Sequence, residues 1–114
     1  MFETILTTAA PLSDPFKAGP YNVIAEDSYN TAFLSGTFGA SATVTLEATP
    51  IDPASDGFVA DDWFTVPEIS VTSKGIVQPG VKAAYFRWRL TGGNGSTAVK
   101  VRMLTTSDAA AETV

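Results

Sequence analysis

Two alternating runs, separated by a glycine-rich break within residues 81–104, constrain the fold more than any other stretch. Every second residue of each run is apolar, which is the period of a half-buried β-strand. The break at residues 91–97 holds three glycines and an asparagine, which tolerate positive φ and let the chain reverse. The pattern therefore predicts a β-hairpin. Its inward residues are Phe86, Trp88 and Leu90 in the first run, and Val99, Val101 and Met103 in the second.

Shorter runs of the same character fill most of the remaining chain, between turn-forming residues. No apolar stripe of helical period accompanies them. About seven to nine short strands, with turn signals every eight to twelve residues, predict an antiparallel β-sandwich of the jelly-roll or immunoglobulin-like type. A small closed β-barrel is the alternative. The predicted inward set is Val44, Leu46, Trp63, Val71, Ile76, Phe86, Trp88, Val99 and Val101.

The chain has 114 residues, which suits one domain. Residues 2–8 fit either a strand or an extended arm, and the three prolines of residues 9–20 exclude a regular helix there. We therefore predict an irregular N-terminal arm over residues 1–20, a sandwich over residues 21–104 and a flexible C-terminal tail over residues 105–114.

Charge and hydropathy exclude several classes of partner. A net charge of −5 argues against nucleic-acid binding, because neutralising phosphates needs an excess of Lys and Arg. No apolar run approaches the roughly 18 residues that span a bilayer, so we expect no membrane partner. The N-terminus lacks the features of a signal peptide, and we expect synthesis in a cytoplasm.

Catalytic and metal-binding chemistry has little support in the composition. The chain has no His and no Cys, which excludes Ser-His-Asp and Cys-His catalysis. A Ser-Lys dyad or a carboxylate pair stays formally open, but no such grouping stands out. The sequence thus predicts a protein that is not an enzyme and has no cofactor. Four aspartates, Asp52, Asp56, Asp61 and Asp62, form either a solvated acidic loop or a Ca²⁺ site, without matching the EF-hand spacing.

The outward-facing positions of the predicted hairpin hold four of the seven basic residues, Arg87, Arg89, Lys100 and Arg102. Like charges on opposed strands destabilise the pair, so a countercharge is expected. Two sources are open: a neighbouring strand that carries Glu47 or Glu68, or an acidic surface on another subunit. The first source would make the basic face structural, and the second would make it an interface.

Aromatic residues are the remaining candidates for a binding site. An exposed set could stack on sugar rings, whereas core and rim packing is the ordinary role of such residues in a small sandwich. The set is Tyr21, Tyr29, Phe33, Phe38, Phe58, Trp63 and Tyr85.

Three segments share a pattern of strand and turn residues. The residues are Gly36, Thr37, Phe38, Gly39, Ala42, Val44 and Leu46, then Trp63, Phe64 and Val66, then Tyr85, Arg87, Leu90 and Gly92. With these residues, the chain over residues 34–104 resembles the small β-sandwich virion proteins of tailed bacteriophages. The resemblance includes no catalytic motif.

The resemblance implies a non-enzymatic structural protein of the virion, made in the host cytoplasm. Within that class it favours a capsid decoration or cement protein that binds the major capsid protein or another virion protein, as a homo-oligomer with a trimer favoured. A tail, neck or fibre component and a carbohydrate- or receptor-binding module are the alternatives. Terminal arms commonly dock on a neighbour through apolar side chains. The expected interface residues are Phe2, Ile5, Leu6, Leu12 and Phe16 of the arm, with Arg87, Arg89, Lys100 and Arg102.

Overall fold

A computed structural model describes residues 2–17, 30–81 and 83–105, which form two four-stranded antiparallel sheets. A short 3-10 turn, Ala60–Asp62, interrupts the connection between the fourth and fifth strands. The predicted antiparallel β-sandwich is confirmed. The strands are β1 (Phe2–Leu6), β2 (Phe16–Lys17), β3 (Asn30–Thr37), β4 (Thr43–Thr49), β5 (Phe64–Val71), β6 (Gly75–Val77), β7 (Tyr85–Thr91) and β8 (Ala98–Thr105).

The order of strand pairing identifies the type of sandwich. The first sheet has the order β1-β8-β3-β6 and the second has the order β2-β7-β4-β5. Strand β1 therefore pairs with β8, β2 with β7, β3 with β6 and β4 with β5, all antiparallel. This nested pairing of the first four strands with the last four, divided between two sheets, is the jelly-roll arrangement.

The predicted hairpin at residues 81–104 is wrong, because its two runs lie in different sheets. Strand β7 pairs with β2 and β4, whereas β8 pairs with β1 and β3. The connection between them crosses from the second sheet to the first. A Cβ at Gly92, whose φ is +72°, would lie 2.0 Å from the carbonyl oxygen of Ser41. Glycine is therefore required where this crossing passes the connection between β3 and β4.

The core lies between the two sheets, and it contains the apolar parity of both runs. Phe86 and Trp88 of β7 and Val99 and Val101 of β8 all belong to it and are fully buried. The residues of the predicted inward set that are buried are Val44, Leu46, Val71, Phe86, Trp88, Val99 and Val101. The prediction is wrong for two residues. Ile76 is 63% exposed on the outer side of its sheet, and Trp63 is half-buried before β5 begins.

Much of the predicted N-terminal arm belongs to the sandwich. Residues 2–6 form the edge strand β1, and Leu6 is fully buried. Phe2 stacks on Phe16 at 4.0 Å between ring centroids, and this contact joins β1 and β2, which are edge strands of the two different sheets. Residues 7–15 form no regular strand, but Ser13 is hydrogen-bonded to Trp88 of β7. The Ser13 amide donates to the Trp88 carbonyl oxygen at 2.9 Å, and Ser13 Oγ accepts from the Trp88 amide at 2.8 Å. Thr105, where the predicted tail of residues 105–114 begins, is the last residue of β8. Residues 18–29, which span the predicted boundary between arm and sandwich, and residues 106–114 of the predicted tail lie outside the described residues.

Strand β5 continues through Pro67. Its register against β4 shifts between Thr45 and Glu47, and the extra residues include Pro67 and Glu68. Glu68 has a φ of +68°. β5 is the edge of the second sheet, where a proline costs no ladder hydrogen bond and a bulge is tolerated.

Candidate interaction surfaces

A cluster of ion pairs within the chain lies on the outer face of the second sheet. Glu47 on β4 is the cross-strand partner of Arg87 on β7, and Arg89 lies two residues along the same face. The Arg87 Nε lies 2.6 Å from Glu47 Oε1, and the Arg89 Nε lies 3.2 Å from Glu47 Oε2. The guanidinium carbon of Arg87 also lies 4.4 Å from the centroid of the Trp63 ring. Glu47 on the neighbouring strand, one of the two predicted sources, therefore supplies a countercharge to Arg87 and Arg89.

The other two basic residues of the predicted face lie on the opposite side of the sandwich. Lys100 and Arg102 project from the outer face of the first sheet, because β8 belongs to that sheet. Arg102 Nε lies 2.7 Å from Glu3 Oε2 on the adjacent strand β1, and both side chains are about half exposed. The prediction of one basic surface is wrong, since it depended on the hairpin.

Exposed apolar side chains accompany these charges on the first sheet. Phe33 of β3 lies in register between Arg102 and Ile76, and Ile5 of β1 lies beside Lys100. All three apolar side chains are among the large exposed hydrophobic residues. We call this surface the face patch; it comprises Ile5, Phe33, Ile76, Lys100 and Arg102.

Two side chains of the connection between β4 and β5, residues 50–63, contact the outer face of the second sheet. Trp63 reaches Arg87 there, and the Tyr85 hydroxyl donates to Asp52 Oδ2 at 3.3 Å. Desolvation raises the pKa of Tyr85 above its ordinary value of 10.0, and the charge and hydrogen bond of Asp52 act in the same direction.

The predicted acidic loop is ordered by its own carboxylates. Asp52 Oδ1 accepts from the Ala54 amide at 2.9 Å, and Asp62 Oδ2 accepts from the Val59 amide at 2.9 Å. These bonds are turn and cap contacts. Within residues 2–17, 30–81 and 83–105, no three His, Cys, Asp or Glu side chains converge in a way that could hold a metal ion.

The same connection carries a second group of exposed apolar residues. Val59 is 57% exposed and Phe64, the first residue of β5, is 61% exposed; Ile51 is also exposed. Phe64 lines an open groove of about 260 Å³ with Pro50 and Val81. Phe64 faces the same side of the second sheet as its cross-strand partner Ala48 and the buried Val66, so it lies at the open rim of the core, whereas Trp63 projects to the outer face.

The interface residues expected from the arm separate into two groups. Leu6 and Phe16 are buried in the core and Phe2 packs against it, so these three stabilise the fold. Ile5 and Leu12 are exposed and remain accessible to a partner. The alternation of β1 explains this division, because Phe2 and Leu6 share the inward parity and Ile5 has the outward one.

The aromatic residues do not form a bare platform among the residues that the structure describes. Trp63 holds Arg87 against one ring face and contacts Phe58 edge-on, at 5.9 Å between centroids. Phe38 is buried and Phe33 belongs to the face patch on the other sheet. Tyr21 and Tyr29 lie outside the described residues.

Sequence reasoning named Ile5, Lys100 and Arg102 as interface residues and Phe33 as an aromatic candidate. It did not place them on one surface, and it did not identify Ile76, Val59 or Ile51 as exposed. Phe33 has the opposite parity to the buried Ala32 and Leu34, so the alternation of β3 was the available signal. Ile76 sits in a strand of three residues, which is too short to show a period. Val59 and Ile51 lie in a loop, where period-2 reasoning does not apply.

Comparisons with protein-family models, with curated proteins and with solved structures found no match. Among the described residues, no helix is long and apolar enough to span a membrane. The functional argument therefore depends on the surfaces themselves.

Proposed function

We propose that this chain is a non-enzymatic structural protein of a tailed-phage virion, and most directly a capsid decoration or cement protein that stabilises the head through subunit contacts. The observation that carries the proposal is the distribution of exposed large apolar side chains. Three of them, Ile5, Phe33 and Ile76, gather on the face patch beside Lys100 and Arg102. Surfaces of this composition are typical of protein–protein contacts.

The fold and the sequence resemblance support the same proposal. Jelly rolls serve as viral capsid domains and also as lectins and cupins, so the fold agrees with the proposal without selecting it. The resemblance to phage virion proteins over residues 34–104 adds the more specific indication.

The functional groups of the described residues also favour a contact role over a chemical one. The chain has neither His nor Cys. Glu47 and Glu3 are engaged by arginines, and Asp52 and Asp62 accept backbone amides. These carboxylates are therefore used in holding strands and turns together.

Fractionation of the virus that encodes the chain tests the proposal. Heads and tails are separated and analysed by mass spectrometry, and the purified chain is added back to heads that lack it. Recovery in heads, binding to heads and a higher temperature of head disruption would support a decoration role. Recovery in tails alone would assign a tail, neck or fibre component.

A glycan array run on the same preparation addresses the remaining alternative. Retention by glycans with no binding to heads would assign a carbohydrate- or receptor-binding module instead. Absence from virions together with no binding to heads would overturn the proposal.

A further inference from the structure

One continuous row of outward side chains crosses all four strands of the first sheet. Phe33 of β3 is the cross-strand partner of Arg102 on one side and of Ile76 on the other, and Arg102 is also the partner of Glu3 on β1. Cross-strand partners on one face have Cβ atoms about 5 Å apart. The row therefore forms a contiguous surface about 14 Å wide, which is three strand spacings.

A second row of the same face extends this surface along the strands. Ile5 on β1 is the cross-strand partner of Lys100, which lies two residues from Arg102 on β8. Ile5, Phe33 and Ile76 are all large and exposed. Scattered apolar residues need no explanation, whereas three that are contiguous on one sheet face indicate a contact surface. The other large exposed hydrophobic residues of the described chain lie outside regular strands or at the rim of the core: Leu12, Ile51, Val59 and Phe64.

The face patch is basic, although the chain as a whole is acidic. The described outward positions of the four strands hold two cations, Lys100 and Arg102, and one carboxylate, Glu3, on a chain whose net charge is −5. The pair of Glu3 and Arg102 is about half exposed, so both groups can still reach a partner. The surface therefore combines an apolar row with an excess of one positive charge.

The position of the cations within the face decides what kind of protein it fits. Lys100 and Arg102 lie on the central strand β8, whereas Glu3 lies on the edge strand β1. A face-to-face contact between two copies would gather four cations and two carboxylates on one small area, and like charges brought together without water disfavour association. A partner surface that carries carboxylates beside its apolar side chains would instead neutralise both cations.

We propose that the chain docks on its virion partner through the face patch, and that the partner surface has carboxylates around exposed apolar side chains. Phe33 and its apolar neighbours form the centre of the contact from which water is excluded, and Lys100 and Arg102 pair with the carboxylates beside it. The first sheet then faces the partner, and the outer face of the second sheet points away from it. The inference rests on the proposed function for the existence of a virion partner, and it adds which face binds and which chemistry that face selects.

Binding of the full chain to heads from which the chain has been removed tests the apolar part of the proposal. Tails replace heads in this experiment if the chain is recovered there. F33S removes the apolar centre of the face and should weaken binding about thirtyfold or more. L12S is the matched control, because Leu12 and Phe33 are both 42% exposed and Leu12 lies outside the face. Its binding should change by less than about twofold.

A second pair of variants tests the charge of the face. K100E reverses one cation and should weaken binding about tenfold or more. K17E makes the same change of charge on β2 of the second sheet, and it should bind as the unsubstituted chain does. Added salt should weaken the binding of the unsubstituted chain more than that of K100E. Circular dichroism confirms that each variant is folded.

Hydroxyl-radical footprinting of the unsubstituted chain measures the same contact without a substitution. Phe33 and Ile76 should become protected when the chain binds the particles, whereas Phe64, at the rim of the core, should react as in the free chain. Protection of Phe33 already in the free monomer would show that another part of the same chain covers the face, and would overturn the proposal.

Other occupants of the face would also overturn the proposal. Self-association of the unsubstituted chain in sedimentation velocity that F33S abolishes would assign the face to a second copy. Binding to phosphatidylserine vesicles that K100E abolishes, without binding to virion particles, would assign it to an anionic lipid surface.

The same measurements separate this inference from the proposed function. If F33S and K100E bind heads as tightly as L12S and K17E do, the inference is wrong and the decoration role stands. If the chain is recovered in tails alone and F33S and K100E weaken its binding there, the inference is supported and the decoration role is wrong. Failure of the unsubstituted chain to bind any virion fraction would overturn both.

Discussion

Neutralising Glu47 is the perturbation with the largest calculable effect outside the apolar core. The E47Q substitution keeps the shape of the side chain and removes its charge, so Arg87 and Arg89 lose their shared carboxylate. Glu47 Oε1 and Oε2 lie 2.6 Å and 3.2 Å from the two Nε atoms. The two guanidinium groups then lie near each other without a countercharge, and Arg87 still lies over Trp63.

The magnitude follows from how much solvent reaches each group. Removing one member of a fully buried ion pair costs about 3–5 kcal/mol, and an exposed pair contributes about 0–1 kcal/mol. The Glu47 side chain is 11% exposed, whereas those of Arg87 and Arg89 are 17% and 38% exposed. The arginines can therefore recover part of their hydration, and we expect E47Q to lower the free energy of unfolding by about 2–3 kcal/mol.

Urea unfolding followed by tryptophan fluorescence measures this loss, since Trp63 reports the cluster and Trp88 reports the core. The expected loss corresponds to a decrease in Tm of about 8–15 °C for a domain of this size. The matched control is E3Q, which removes the carboxylate of the half-exposed Glu3–Arg102 pair. E3Q should cost at most about 1 kcal/mol and lose most of its effect in high salt.

The reasoning fails if E47Q and E3Q destabilise the protein equally, or if salt abolishes both effects. A double-mutant cycle with R89Q sharpens the test. E47Q should cost less in the R89Q background, because only Arg87 is then left without its countercharge. Additive effects of E47Q and R89Q on the free energy of unfolding would show that Glu47 and Arg89 are not energetically coupled.

Three further predictions concern the N-terminal strand, the crossing between the sheets and the alkaline range. L6A should lower the free energy of unfolding by about 2–5 kcal/mol, because Leu6 is fully buried. I5A should lower it by about 0.5 kcal/mol or less, because Ile5 is exposed. Equal losses in urea unfolding would contradict the assignment of β1. G92A should cost about 2 kcal/mol or more, since its Cβ would meet a backbone oxygen at 2.0 Å, while G95A has open space and should cost about 0.5 kcal/mol or less by the same assay. Because the pKa of Tyr85 is raised on folding, the contribution of Tyr85 to stability is complete below about pH 10 and is lost as the pH rises through the folded-state pKa. The urea midpoint of Y85F should therefore decline less steeply above about pH 10 than that of the unsubstituted chain. An equally steep decline would refute this.

The sequence predicted which side chains of β4, β7 and β8 point inward, because a period of two depends only on local alternation. It did not predict which strands pair. A hairpin and a crossing between sheets both place the apolar parities of β7 and β8 in the core, and both use glycines at the reversal. Only the non-local pairings of β7 with β4 and of β8 with β3 distinguish them.

The interaction surfaces were less predictable than the core for the same reason. Glu47 was an expected partner of the arginines because it lies on a well-defined outward parity. Lys100 and Arg102 were assigned to the wrong face because their position depends on the sheet that β8 joins. Pro67 lies within a strand because β5 is an edge strand and accommodates the proline in a bulge.

The sheet edges favour association through faces over association through added strands. Among the described residues, β2 and β6 have two and three residues, and the bulge at Pro67 and Glu68 interrupts the edge of β5. Strand β1 is the longest regular edge, but its five residues would cover much less than the roughly 800 Å² per partner of a standard interface. A stable contact at this side must therefore also use an outer face, and Ile5 connects the edge of β1 with the face patch.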